Sequence, residues 1–233
     1  MTDLTTADLE RLTTWDTPTI CNALEIVVPE RRGHGFTTEQ LVPLDPDLAP
    51  ICGYARTATI RAAHPSDETK EESLKKRVAY YEYVAQAPGP TITVIQDLDP
   101  VPGVGAFWGE VNTSVHKGLG SLGAVTNGSI RDIQDSARDF NLLGGKIGPS
   151  HAYVHVVDFG GTVNVFGMAV SHGDIIHADH HGAVMVPAEA VKKLPDAVAA
   201  IANREARILD ATRAPDFGIE KLKAAMGVSR DIH

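Results

Sequence analysis

GEVNTSVHKGLGSLGAVTNGSIRDIQD, running from Gly109 to Asp135, decides how the rest of this chain is read. Glu110 to Lys117 has the composition of a short helix, and Ala124 to Ile130 is apolar and β-branched, as a strand requires. Asp132 to Phe140 then reads as a second helix opened by an aspartate, and Gly103 to Trp108 just upstream as a short strand. Strand and helix therefore alternate through the centre of the sequence, which is the pattern of an α/β protein.

Outward toward the amino end, TITVIQDL (91–98) is an apolar strand of the buried kind, Glu68 to Gln86 a charged amphipathic helix, and Cys52 to Arg61 a β-branched strand. Residues 7–28 read as helix with a restart at Thr17-Pro18, followed by a Pro/Gly-rich loop from Pro29 to Pro50. Toward the carboxyl end, strands are expected at Tyr153–Phe159, Val163–Phe166, Asp174–Ala178 and Ala183–Pro187. Helices at Ala188–Arg213 and Ile219–Met226 follow them. Because strands cluster late, the expected sheet is mixed with helices on its faces, and not purely doubly wound. No linker or repeat divides the chain. One domain is expected over 1–233, with a helical segment over about 1–50, a core over about 51–190 and closing helices over about 188–233.

Composition narrows the function classes. Of 233 residues 43% are hydrophobic and 22% charged, the balance of a folded domain, and the net charge of −9 disfavours nucleic acid and anionic membranes as partners. No run approaches the length of a membrane span, and the acidic start MTDLTTADLERL has no signal-peptide character, so a cytoplasmic location is expected. Cys21 and Cys52 are too few for a disulfide framework or a thiolate metal site.

Three motifs invite chemistry. GLGSLG (118–123) matches G-x-G-x-x-G, but a helix precedes it and a strand follows, the reverse of a dinucleotide site, so it reads as a tight turn. His177, His180 and His181 around Asp179, with His151 and His155, suggest zinc, although they fall on strands and turns without a helical HExxH pair. There is no G-x-S-x-G elbow, and neither cysteine has surroundings that would activate it. The third is Arg131-Asp132 at a strand end, with Glu110 after another strand and Asp135 one turn on. An arginine there can grip a carboxylate through two hydrogen bonds, and an adjacent aspartate can hold a hard divalent cation. The same residues also read as a helix N-cap, a dipole-favouring acid and a surface ion pair.

Gly109-Glu110, Gly128-Ser129-Ile130-Arg131-Asp132 and the Asp135 completing R-D-x-x-D together resemble the RraA-like superfamily. CGYARTATI, VSHGDIIHADHHGAVMVP and NREARIL are similar to further segments of that family, so the likeness covers most of the chain. The resemblance implies a three-layer β/β/α sandwich of the swivelling-domain kind with a mixed sheet. It implies a homotrimer or dimer of trimers with active sites between subunits. Its enzymes are class II pyruvate aldolases acting on 4-hydroxy-2-oxo acids such as 4-hydroxy-4-methyl-2-oxoglutarate, which also decarboxylate oxaloacetate and release pyruvate.

By that resemblance Asp132 would ligate Mg²⁺ or Mn²⁺ directly, with Glu110 and a neighbouring chain's Glu205 acting through water. Arg131 would bind the substrate carboxylate and the developing oxyanion, helped by Gly109 and the amides of Val111 and Asn112, with Asp135 supporting Arg131. A non-enzymatic branch of the family regulates RNA degradation by binding protein, and it lacks the second acid that stands here as Asp135. Departures from the family pattern are His172 before Gly173-Asp174, Asn22, Asn127 and the histidine-rich loop after Ile147. The other alternative is a zinc hydrolase built on the histidine clusters.

Overall fold

A computed structural model describes residues 4–227. Two short helices come first, α1 (Thr6–Leu12) and α2 (Thr17–Val27). The expected single helix over 7–28 is thus broken at 13–16, where the Asp16 carboxylate accepts the Thr19 amide at 2.9 Å and Pro18 sits in the first turn. Strand β1 (Val42–Pro43) lies in the expected loop, and β2 (Ile51–Arg61) follows it. Helix α3 (Lys70–Val84) starts in a capping box between Thr69 and Glu72. Next come β3 (Thr91–Asp97), β4 (Ala106–Trp108) and helix α4 (Glu110–Gly118).

The second half holds β5 (Ser121–Thr126), β6 (Ser129–Ile130), β7 (Asn141–Gly144), β8 (Lys146–Ile147), β9 (His155–Phe159), β10 (Val163–Val165), β11 (Met168–Val170), β12 (Ile175–Asp179) and β13 (Gly182–Val186). Helices α5 (Leu194–Thr212) and α6 (Ile219–Gly227) close the described part. The main sheet runs β1-β7-β5-β3-β2-β12-β13, parallel from β7 to β2 and antiparallel beyond. Strand β2 is long enough to pair β12 near its start and β9 near its end, with a register shift at Thr59/Ile60 that curls the sheet. A small parallel sheet, β4-β6-β8, and a hairpin, β10-β11, complete the strands. The expected mixed α/β architecture holds.

Apolar side chains segregate into three clusters. One lies between β12–β13 and helices α1, α2 and α5; one lies under the β10–β11 hairpin; the third gathers α3, β4 and β7 around Trp108 and Tyr80, with His116 of α4 against both rings. The third cluster carries the site described below.

Two expectations fail beside that cluster. The strand over 124–130 splits, because the Asn127 side chain pairs with the Asp97 backbone, accepting its amide at 2.7 Å and donating to its carbonyl at 3.1 Å. Strand β5 therefore stops at Thr126, and β6 joins the small sheet. The helix over 132–140 does not form. Asp132 and Asp139 have φ of 53° and 57°, outside the right-handed helix, and the segment makes a single turn before entering β7. The GLGSLG stretch is the tight turn anticipated, with Gly120 at φ 91° linking α4 to β5.

Candidate active site

Strands β4 and β6 are parallel neighbours, pairing Ala106 with Ser129 and Trp108 with Ile130. Their carboxyl ends deliver Gly109-Glu110 and Arg131-Asp132 side by side, and the Arg131 amide donates to the Trp108 carbonyl at 2.9 Å. The left-handed backbone of Asp132 folds its carboxylate back over Gly109. A Cβ at Gly109 would lie 2.5 Å from Asp132 Oδ2 and 3.2 Å from Arg131 Cγ, so closeness of approach requires glycine there. The Glu110 amide donates to Asp132 Oδ2, and Arg131 Nη1 to Asp132 Oδ1, both at 3.4 Å. Bonds that long leave most of the carboxylate's capacity unused.

Helix α4 begins at Gly109, which offers no side-chain cap, so the amides of Val111 and Asn112 have no partner within the helix. The helix is pinned from its flanks. Thr113 Oγ1 donates to the Gly109 carbonyl at 2.8 Å and accepts the Ala137 amide at 2.9 Å. Asn112 accepts the Tyr81 hydroxyl at 2.8 Å and donates to the Phe107 carbonyl. His116 Nδ1 donates to the Asn112 carbonyl, and its Nε2 accepts the Tyr80 hydroxyl, both at 2.7 Å. Burial pushes His116 down to about 4, outweighing the Asn112 carbonyl, which favours the charged ring.

Beside Arg131, Val111 and Asn112 opens a cleft of about 520 Å³, walled by Arg77 and Tyr81 of α3 and by His151 and His155. The structure thus brings together Gly109, Val111, Asn112, Arg131 and Asp132. Glu110 starts the same helix with its side chain exposed. Asp135 is exposed as well; its amide donates to the Asp132 carbonyl at 3.1 Å, while the carboxylate beside Arg131 is that of Asp132. Glu205 is exposed on α5 and does not line the cleft. Arg77 and Tyr81 were not legible as site residues. Their one signal is the four-residue spacing that puts them on one face of α3.

The donor set suits a hard cation, since Asp132 offers an underused carboxylate whose Oδ2 meets only the Glu110 amide, at 3.4 Å. Among the described residues, the one histidine, cysteine or acid trio gathered within ligand reach is instead Asp179, His180 and His181. There Asp179 is occupied: Oδ2 accepts the Thr17 amide, and Oδ1 accepts the His181 amide, each at 2.8 Å. Burial opposes its ionisation, but those amides and His181 outweigh it and hold Asp179 below the usual carboxylate range. His177 is buried between Thr17 Oγ1 and the Leu12 carbonyl. These are core and turn histidines. Burial raises the Cys21 thiol to about 11 and Cys52 to about 12, the opposite of activation.

A family model for RraA-like proteins, described as Aldolase/RraA, matches residues 17–185. This chain belongs to the Aldolase/RraA family. The family includes both aldolase and decarboxylase enzymes and inhibitors of ribonuclease E. No curated protein matches the chain. An uncharacterized protein from Pseudomonas syringae pv. tomato is similar in structure, with TM-score 0.72, 20% identity, and 97% of this chain and 96% of that one covered. RraAS2 of Streptomyces coelicolor, an unusual member of the RNase ES inhibitor RraA family, gives TM-score 0.66 at 21% identity over 87% and 96% of the two chains. A chain solved in work on cellulases from gut-associated microbes gives 0.72 at 18% identity over 89% of each. At these identities the likeness is one of fold.

Proposed function

We propose that this RraA-like protein is a divalent-metal-dependent lyase that cleaves the carbon–carbon bond next to a 2-oxo acid and releases pyruvate. It would act as a class II aldolase on 4-hydroxy-2-oxo acids, with oxaloacetate decarboxylase activity at the same site. The observation that carries this is the Asp132 carboxylate folded against Gly109, beside Arg131 and the uncapped first turn of α4. Asp132 would hold Mg²⁺ or Mn²⁺, with Glu110 and a neighbouring copy's Glu205 orienting its water shell. When bound, that ion supplies Lewis-acid stabilisation of the enolate left as the bond breaks.

The chain's own residues supply the rest. The Arg131 guanidinium binds the substrate carboxylate as a fork and donates to the oxygen that gains charge. The amides of Val111 and Asn112 complete the anion cradle at the helix amino end. Lys117, the lysine nearest the motif in sequence, holds the Arg138 carbonyl and does not line the cleft, which favours metal over Schiff-base chemistry. Its exposed Glu205 fits a homo-oligomer, a trimer or dimer of trimers, in which each copy completes another's site.

Pyruvate release from oxaloacetate and from 4-hydroxy-2-oxo acids should occur, stop in EDTA and return with Mg²⁺ or Mn²⁺. Full turnover in excess chelator, lost on borohydride trapping, would falsify the metal assignment. No turnover on any of these acids would leave the protein-binding regulator as the reading.

A further inference from the structure

We infer that Arg77, with His151 and His155 beside it, is the specificity-determining group of this cleft and binds a second anionic group on the substrate, remote from the 2-oxo acid held by Arg131. The inference rests on the function proposed above and assigns the part of the cleft that the proposed chemistry leaves unused.

In a chain of net charge −9, the cleft is lined by two arginines and two histidines and by no aspartate or glutamate. Such an exclusion of carboxylates favours an anionic occupant. Arg131 already has Asp132 at 3.4 Å, whereas Arg77 has no ion pair among the described residues. Arg77 lies one helical turn before Tyr81, whose hydroxyl is fixed 2.8 Å from Asn112 Oδ1 in the first turn of α4. That bond ties the α3 wall to the amides assigned to the 2-oxo acid, and Arg77 and Arg131 line the same cleft.

Opposite, His151 Nδ1 donates to the Ala152 carbonyl at 2.7 Å, and His155 Nδ1 to the Tyr153 carbonyl at 2.8 Å. Each ring leaves Nε2 for a ligand, and donates from it to an anion as the imidazolium. In the adjoining recess Glu68 pairs with Lys76, and Asp99 Oδ2 accepts the Ala62 and Ala63 amides at 2.8 and 2.7 Å; the third acid there, Asp67, is exposed and does not line the cleft.

The test is calorimetric binding, in Mg²⁺, of two acids that cannot undergo the cleavage: 2-oxoglutarate, and 2-oxopentanoate, which has a methyl where the former has its distal carboxylate. A charge-assisted contact predicts that 2-oxoglutarate binds about tenfold tighter or more. Arg77→Leu should bring the ratio to within about threefold, and His151→Ala/His155→Ala should lower it partway. Arg77 is exposed, so its replacement leaves the core intact. A wild-type ratio near one, or a ratio unchanged in Arg77→Leu, overturns the subsite while Arg131-dependent binding of both acids keeps the proposed function standing. If neither acid binds, or if Arg131→Ala weakens neither, the proposed function falls and the subsite falls with it. The analogue with a phosphonate in place of the distal carboxylate tells the two anions apart; tighter binding of either one through Arg77 supports the subsite.

Discussion

Arg131 and Gly109 are where single-atom changes separate the readings of the site. Arg131→Lys keeps the charge but loses the planar fork, so a residue that donates to a developing oxyanion should lose about 100–1,000-fold in kcat when replaced. As a half-exposed ion pair Arg131 would cost at most about 1 kcal/mol of stability and no rate. Kinetic constants on whichever 2-oxo acid is turned over decide this: a kcat within threefold of wild type withdraws the assignment. Gly109→Ala probes the same contact from the other side. Its φ of −168° suits alanine, so the backbone accepts the change, but the new methyl displaces the Asp132 carboxylate. A shift of about 1 Å in a catalytic group costs about 100-fold. The variant should melt close to wild type while kcat/KM falls by that order, and unchanged turnover would show that Asp132 needs no such placement.

At the scale of elements, α4 is too short to persist alone and is held by tertiary bonds, from Tyr80 to His116, Tyr81 to Asn112 and Ala137 to Thr113. His116 stays neutral in the fold down to about 4, whereas the unfolded chain takes up a proton near 6.5. The unfolded state therefore binds more protons between those values. The stability that His116 contributes is complete above 6.5 and declines as pH falls toward 4, by on the order of 3 kcal/mol across that window. His177, lowered chiefly by burial, acts with the same sign. Urea unfolding at a series of pH values should show this slope in wild type and a shallower one in His116→Gln, whatever that variant's absolute stability; equal slopes would refute the linkage. Most elements here follow from local patterns, such as the capping box that opens α3 or the apolar run of β3. Residues 124–140 do not. Asn127 reads as an ordinary strand polar residue until Asp97 is beside it, and nothing local marks the positive φ of Asp132.

For the whole molecule, the decisive question is whether one copy is enough. Glu205 stands exposed on α5, in a helix packed on α2, while Arg131 follows Ile130 of the cluster around α3 and β4. If copies share sites, inactive Arg131→Ala and Glu205→Ala proteins refolded together should regain part of the activity, because some interfaces then combine two intact halves. An active monomer of about 25 kDa by sedimentation would exclude sharing.

The sequence by itself determined the α/β class, the buried strand at TITVIQDL, the turn at GLGSLG and the R-D pair, because each depends on periodicity, glycine or neighbouring side chains within a few residues. It pointed to Gly109 and Asp132 as related, but not to their distance or to the left-handed backbone that joins them. Only the tertiary structure decided that His177 is core, that Asp179 is consumed by a turn, and that Arg77 and Tyr81 of α3 face the loop carrying His151. Those facts depend on which distant segments meet: Thr17 and Leu12, partners of Asp179 and His177, lie 162 and 165 residues away and leave no mark in the local pattern.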